Sequence, residues 1–171
     1  MTFSLRILGN FCYCRDEITQ KVIDEGLVKE LKRLLSHHST SIRKDAVWTI
    51  SNIAVGSQNQ IECLVEENIF SLLKDMAKRE FNIIRKEAIW AICNLTNIRN
   101  PYHAETLIEQ GILESLINFL KQPNPKFVVI SLEAITNFLE LESIFHNVKI
   151  YIIYKFYTIR KFHAVLILKR F

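Results

Sequence analysis

Two short stretches carry the residue types with which this chain could recognise another molecule. RKDAVWTISN, residues 43–52, sets Trp48 and Asn52 four positions apart, and RKEAIWAICN, residues 85–94, repeats the arrangement with Trp90 and Asn94. On a helix such a pair lies on one face, a turn apart. Asn is a poor helix former, so its recurrence in mid-helix asks for a purpose. Its amide offers a donor and an acceptor together, enough to hold the N–H and C=O of an extended peptide crossing the helices. A slot between neighbouring Trp rings fits the aliphatic stem of a Lys or Arg, whose charged head over a ring gains about 0.5–2 kcal/mol. Asp45 and Glu87, three residues before each Trp, would stand at the rim and attract that charge. The chemistry is a clamp for extended basic peptides.

The elements that must position these residues follow from a period. Trp48 to Trp90 is a step of 42 residues; one step back lie Arg6 and Asn10, and one step forward, with one residue inserted, lie Glu133 and Asn137. Asn10, Asn52, Asn94 and Asn137 thus share one column. Each follows a small residue (Gly9, Ser51, Cys93, Thr136) and before that an aliphatic one (Leu8, Ile50, Ile92, Ile135). Gly9, Ser51 and Cys93 would let a peptide backbone come close, with helix packing an equal reason for Ser51 and Cys93, and Ile50, Ile92 and Ile135 read as core. A fixed period of this length is the signature of a helical solenoid, whose units bury their apolar faces only by stacking.

Three helices are expected in each unit: 16–25, 27–35 and 42–55, with Ser41 as a cap for the third; then 58–67, 69–78 and 82–96; then 102–110, 112–121 and 126–141. Gly26, Asn68 and Gly111 fall at the junction of first and second helices and are the residue types that tolerate the left-handed turn. Residues 1–12 supply only a third helix. The solenoid is therefore drawn over 1–142, as a partial repeat 1–12 and repeats 13–55, 56–98 and 99–142, with a tail of different composition at 143–171.

A lone Trp on a helix is normally core; its pairing with Asn four positions on and an acid three positions back, in two registered copies, reverses that reading. Arg43, Lys44, Arg85 and Lys86 read as solvated charges. The net charge of +4 comes from the tail, since residues 143–171 include Lys149, Lys155, Arg160, Lys161, Lys169 and Arg170 and no Asp or Glu in their sequence. Residues 1–142 hold the remaining 16 basic and 18 acidic residues, a net of −2, which argues against nucleic acid as a partner and permits a basic one. The tail never offers the run of about 18 uncharged apolar residues a membrane span requires, so stable insertion is not expected; it reads as an improvised ending or a cap over the last repeat, with a membrane-surface segment as the alternative. Cys12, Cys14, Cys63 and Cys93 are scattered and read as reduced thiols, without a second ligand pair for a metal. No cofactor is implied. None of the nucleotide-binding, nucleophile-elbow or zinc-hydrolase motifs is present, and the five His lack partners at fixed spacing, so an enzyme is not expected.

The motif K-[DE]-A-x-W-x-[IV]-x-N, with NIFSLL, IEQGILESLINFL and SLEAITNFLE between its copies, closely resembles the armadillo repeats of importin-α (karyopherin-α) over residues 1–142. That resemblance implies an all-α, right-handed α-solenoid of armadillo repeats, three helices per repeat of about 42 residues. It implies a nuclear import adaptor that binds nuclear localisation signals, the Lys/Arg-rich peptides of its cargo proteins, on a concave Trp/Asn ladder, and that shuttles between cytoplasm and nucleus. Arg6 before Trp48 and Trp90, with Glu133 after them, matches repeats six to nine, the minor signal site, with Arg6 and Glu133 at the groove's ends. Importin-β is a partner of the family; the segment that docks it has no counterpart in this sequence, so unaided import is not expected. Two rivals stand beside this reading: a general armadillo interaction scaffold, of the catenin type, which predicts Lys and Arg along the inner columns, and a degenerate fragment without import activity.

Overall fold

The computed structural model describes residues 2–14, 16–80, 82–141, 144, 146 and 148–152. Most of the basic tail, 153–171, lies outside them, and the expectations for it stand as drawn from sequence. Among the described residues the fold is all-α: α1 (Thr2–Cys14), α2 (Asp16–Asp24), α3 (Leu27–Leu34), α4 (Thr40–Ile53), α5 (Gln58–Glu66), α6 (Ile69–Arg79), α7 (Asn82–Leu95), α8 (Pro101–Glu109), α9 (Ile112–Phe119) and α10 (Pro125–Leu139). The third helices α1, α4, α7 and α10 pack in series, and the first helices α2, α5 and α8 do the same. That stacking makes the solenoid.

Gly26, Asn68 and Gly111 turn the chain from first to second helix at φ of 92°, 55° and 89°. Only a residue that accepts the left-handed region can make this turn cheaply, and Asn68 is the sole non-glycine that does so among the described residues. Asn100 and Asn124 begin α8 and α10: each Oδ1 accepts from the backbone N–H two residues on, Tyr102 at 3.1 Å and Lys126 at 3.0 Å, with Pro at the first helical position. The two Asn-Pro pairs are thus helix starts, one residue earlier than the periodicity alone places them. Ser41 is not a cap. The imidazole Nδ1 of His37 accepts from the Ser39 N–H at 3.0 Å, which folds the loop early, so α4 begins at Thr40 with Ser39 before it and Ser41 inside.

The expected core columns are buried, with Ile50 and Ile92 fully enclosed and Ile135 nearly so. Polar ties lock the repeats in register. The Gln58 amide donates to the Asn97 carbonyl at 3.0 Å and accepts from the Arg99 N–H at 2.6 Å, and Gln60 donates to the Asp16 carbonyl at 2.8 Å. Arg43 is not solvated: its guanidinium meets both oxygens of Glu80 at 2.7 and 3.0 Å and donates to the carbonyls of His37 and His38. Arg85 bends back likewise, to the Lys78 carbonyl at 3.3 Å. Past α10, Ile144 and Val148 are buried against the same core, and Tyr151 and Ile152 pack on it.

Candidate functional site

The ladder residues come together on the third helices. Trp48 is half-buried on α4, and Trp90, 39% exposed, occupies the same place on α7. The Asn column does something the spacing did not reveal. Asn52 donates its Nδ2 to the Gly9 carbonyl at 3.0 Å, and Asn94 donates to the Ser51 carbonyl at 3.2 Å and to Ser51 Oγ at 3.3 Å. Asn137 departs slightly, donating to Thr96 Oγ1 and Asn97 Oδ1, both at 3.0 Å. Each of these three amides ties its helix to the repeat before it. Asn10, exposed on α1, makes no such tie among the described residues.

The small-residue column follows from the same contacts. A Cβ on Gly9 would run into the ring of Trp48, so Gly9 is small because the next repeat's indole lies on it. Ser51 is buried beneath Asn94, and Cys93 is buried with its Sγ 3.9 Å from Ser131 Oγ on α10. The expectation that these residues admit a ligand backbone is corrected: they seat the neighbouring repeat. Burial also pushes the Cys93 thiol up to about 12.

Asp45 is corrected as well. It is 3% exposed rather than at the rim, and Arg6 from α1 meets it with Nε 3.3 Å from Oδ2. A carboxylate buried to that extent needs such a partner. Glu87 differs, because it is half-buried on α7 and its pKa is raised, chiefly by desolvation, with the nearby Lys44 charge opposing. Of the two acids, Glu87 is the one without an ion pair among the described residues. A pocket of about 270 Å³ spans α1, α4 and α7, lined by Arg6, Asn10, Lys44, Asp45, Trp48 and Glu87. A second, of about 340 Å³, runs along α10 beside Leu132, Glu133, Thr136 and Asn137. Arg6 lines the first of these pockets and Glu133 the second.

One histidine acquires partners that its position in the sequence hid. His103 on α8 is buried, with Nδ1 3.9 Å from Glu62 and Nε2 3.6 Å from Glu66, both on α5 of the preceding repeat. It belongs to the stack of first helices rather than to the ladder.

Comparison with known proteins agrees with this geometry. The model of the armadillo/beta-catenin-like repeat family matches residues 15–55. Importin subunit alpha-4 of Arabidopsis thaliana is 38% identical over 108 residues, 63% of this chain and 20% of that protein. Importin subunit alpha-1a of Oryza sativa subsp. japonica is 40% identical over 63 residues, 36% of this chain and 12% of its own length. The chain therefore spans a fifth or less of these curated relatives. Among solved structures, a designed armadillo repeat protein in complex with the peptide (KR)4 superposes with a TM-score of 0.73 at 30% identity, covering 83% of this chain and 61% of that one. A second designed armadillo repeat protein gives 0.74 at 31%, covering 80% and 57%. Residues 15–55 thus match an armadillo repeat, the described chain has the all-α solenoid fold of the designed armadillo repeat proteins, and the curated proteins it resembles are importin-α subunits.

Proposed function

We propose that the chain binds extended Lys/Arg-rich peptides, the nuclear localisation signals of cargo proteins, across the ladder of α4 and α7. The observation that carries this reading is the pair Trp48–Asn52 and Trp90–Asn94 in register on adjacent helices, with Glu87 half-buried beside them and without a direct ion pair among the described residues. Asn52 spends one N–H on the preceding repeat and keeps the other N–H and Oδ1 for a peptide backbone, while Asn94, which donates to both the carbonyl and Oγ of Ser51, keeps Oδ1. A Lys or Arg stem laid by the Trp90 ring brings its cation to Glu87, which gains most from a charge because burial disfavours it alone. The importin-α relatives and the (KR)4 complex of a similar fold support the same ligand class. In this role the protein serves as a nuclear import adaptor moving between cytoplasm and nucleus, and recruitment of importin-β is a separate event from cargo binding.

Tryptophan fluorescence titration with a short Lys/Arg peptide, beside its Ala-substituted counterpart and at two salt concentrations, tests the proposal. Saturable quenching that needs the basic residues, weakens with salt and falls in Trp90→Ala and Glu87→Gln is expected. A helical chain by circular dichroism that gives no response to the basic peptide would overturn it.

A further inference from the structure

The tie between Arg43 and Glu80 has a vacant counterpart one repeat on. Arg43, the fourth residue of α4, turns its Nε–Nη2 edge to Glu80 just past the end of α6, with Nε 2.7 Å from Oε1 and Nη2 3.0 Å from Oε2. Arg85 is likewise the fourth residue of α7, a step of 42 later. Steps of 42 and 43 from Glu80 fall on Gln122 and Pro123, and residues 115–132 contain no Asp or Glu. The half-buried guanidinium of Arg85 is accordingly short of acceptors. Its Nη2 donates to the Lys78 carbonyl at 3.3 Å, while its Nε is shut from solvent and has no hydrogen-bond partner among the described residues. An unmatched donor on a charged group is costly, so this edge gains more than most from an anion. The surroundings supply none: Lys78, Arg79 and Lys86 are exposed and without an ion pair among the described residues, and Glu80 is committed to Arg43.

We propose that Arg85 anchors a binding site separate from the ladder, at the junction of α6 and α7, which takes a carboxylate from an acidic segment of a partner protein. The internal Arg43–Glu80 pair shows the geometry. A carboxylate laid along the Nε–Nη2 edge makes the two charge-assisted bonds that Glu80 makes, and a swing of the guanidinium about its own stem turns Nε out to meet it. The planar fork selects a carboxylate by shape, and Lys78, Arg79 and Lys86 draw an acidic segment to it by charge. This ligand is opposite in sign to the one proposed for the ladder. Arg85 does not line the pocket that holds Trp48 and Glu87, so the two sites can be filled independently.

Fluorescence anisotropy of a labelled oligo-Glu peptide on the full chain, beside its Gln counterpart, tests this. Saturable binding of the Glu peptide alone, weakened by salt, is expected. Arg85→Gln should lower its affinity by about tenfold or more, and Arg85→Lys, which keeps the charge and loses the fork, should not restore it in full. The double change Lys155→Gln with Arg160→Gln, in the basic tail, should leave it unaltered. Unchanged helicity by circular dichroism in both Arg85 variants confirms folding, and the outcome holds whether or not a basic peptide binds the ladder. A chain that ignores the Glu peptide, binding that survives Arg85→Gln, full affinity in Arg85→Lys, or binding that disappears with the tail charges would each overturn the proposal.

Discussion

Gly9→Ala probes whether the small-residue column seats the next repeat. A methyl at Gly9 would meet Cζ3 of Trp48, lie 2.8 Å from Cε3 of the same ring and 2.8 Å from Oγ1 of Thr49. Thr49 is fixed by its own hydrogen bond to the Asp45 carbonyl at 2.8 Å, and the atoms met on Trp48 belong to a rigid, half-buried ring, so neither yields as the tip of a flexible side chain would. Overpacking of this kind costs about 1–3 kcal/mol, while Ala in place of Gly within a helix returns about 1 kcal/mol. Displacing α4 from α1 also strains the hydrogen bond from Asn52 to Gly9, worth about 0.5–1.5 kcal/mol. The expected net loss is about 1–2 kcal/mol. Urea unfolding followed by circular dichroism measures it, and a cycle with Trp48→Ala isolates the contact, since the penalty should shrink by about 1 kcal/mol or more once the ring is gone. Stabilisation by Gly9→Ala, as an open helical site would give, or a penalty undiminished in the Trp48→Ala background, refutes the seating argument.

Other substitutions report on the neighbouring groups. Because burial raises the Glu87 pKa, folding favours its protonated form; the stability so gained is whole below its ordinary value of 4.5 and is lost as pH rises above it. Glu87→Gln should therefore raise the thermal midpoint at neutral pH, lose that advantage in acid, and weaken basic-peptide binding, all visible in melts at two pH values beside the fluorescence titration. Cys93 and Cys12, their thiols pushed up to about 12 and about 11 by burial, should escape iodoacetamide in the native chain at about pH 8, as peptide mass mapping would show. The Arg43–Glu80 pair joins α4 to the end of α6 through side chains less than a fifth exposed, so a double-mutant cycle to Ala should give a coupling of about 1–2 kcal/mol by urea unfolding. A coupling near zero would mean that the apolar packing of α6 on α7 sets the loop unaided.

What spacing could reveal was the period and everything local to it. Gly26, Asn68 and Gly111 recur because the backbone needs a left-handed residue at one place in each unit, and that requirement is written at the residue itself. The Trp and Asn columns were visible for the same reason. What stayed hidden lies between repeats. Arg6 and Asp45 are 39 positions apart, and nothing in either local sequence says that one neutralises the other. Gly9 was small in view of a neighbour 39 residues on, not of a ligand. In a solenoid each repeat's nearest partner is another repeat, so a column that looks reserved for a ligand serves the stack first. The Asn-Pro pairs at 100–101 and 124–125 are a different case, since their capping signal was legible in the residues and only the apolar periodicity drew attention past them.

The Asn column shows why structure and recognition need not compete here. A carboxamide has two N–H donors and one carbonyl acceptor, whereas a backbone tie to the previous helix uses a single donor. Asn52 makes that tie and is left with one donor and one acceptor, the complement of a single peptide unit, whereas Asn94 also donates to Ser51 Oγ and keeps its carbonyl. Aspartate, of the same length, has only acceptors and could not donate to the preceding carbonyl, and serine is too short to do both. Gln, one methylene longer, would carry the amide off the place that the tie fixes and add a torsion to be frozen. The tie also holds the amide in orientation before any ligand arrives, so a peptide crossing the ladder meets groups already ordered, which lowers the entropy it must surrender on binding. The same contact that stacks α4 on α1 and α7 on α4 therefore prepares the surface on which an extended peptide would lie, and a change that loosens the stack would be felt as a loss of affinity.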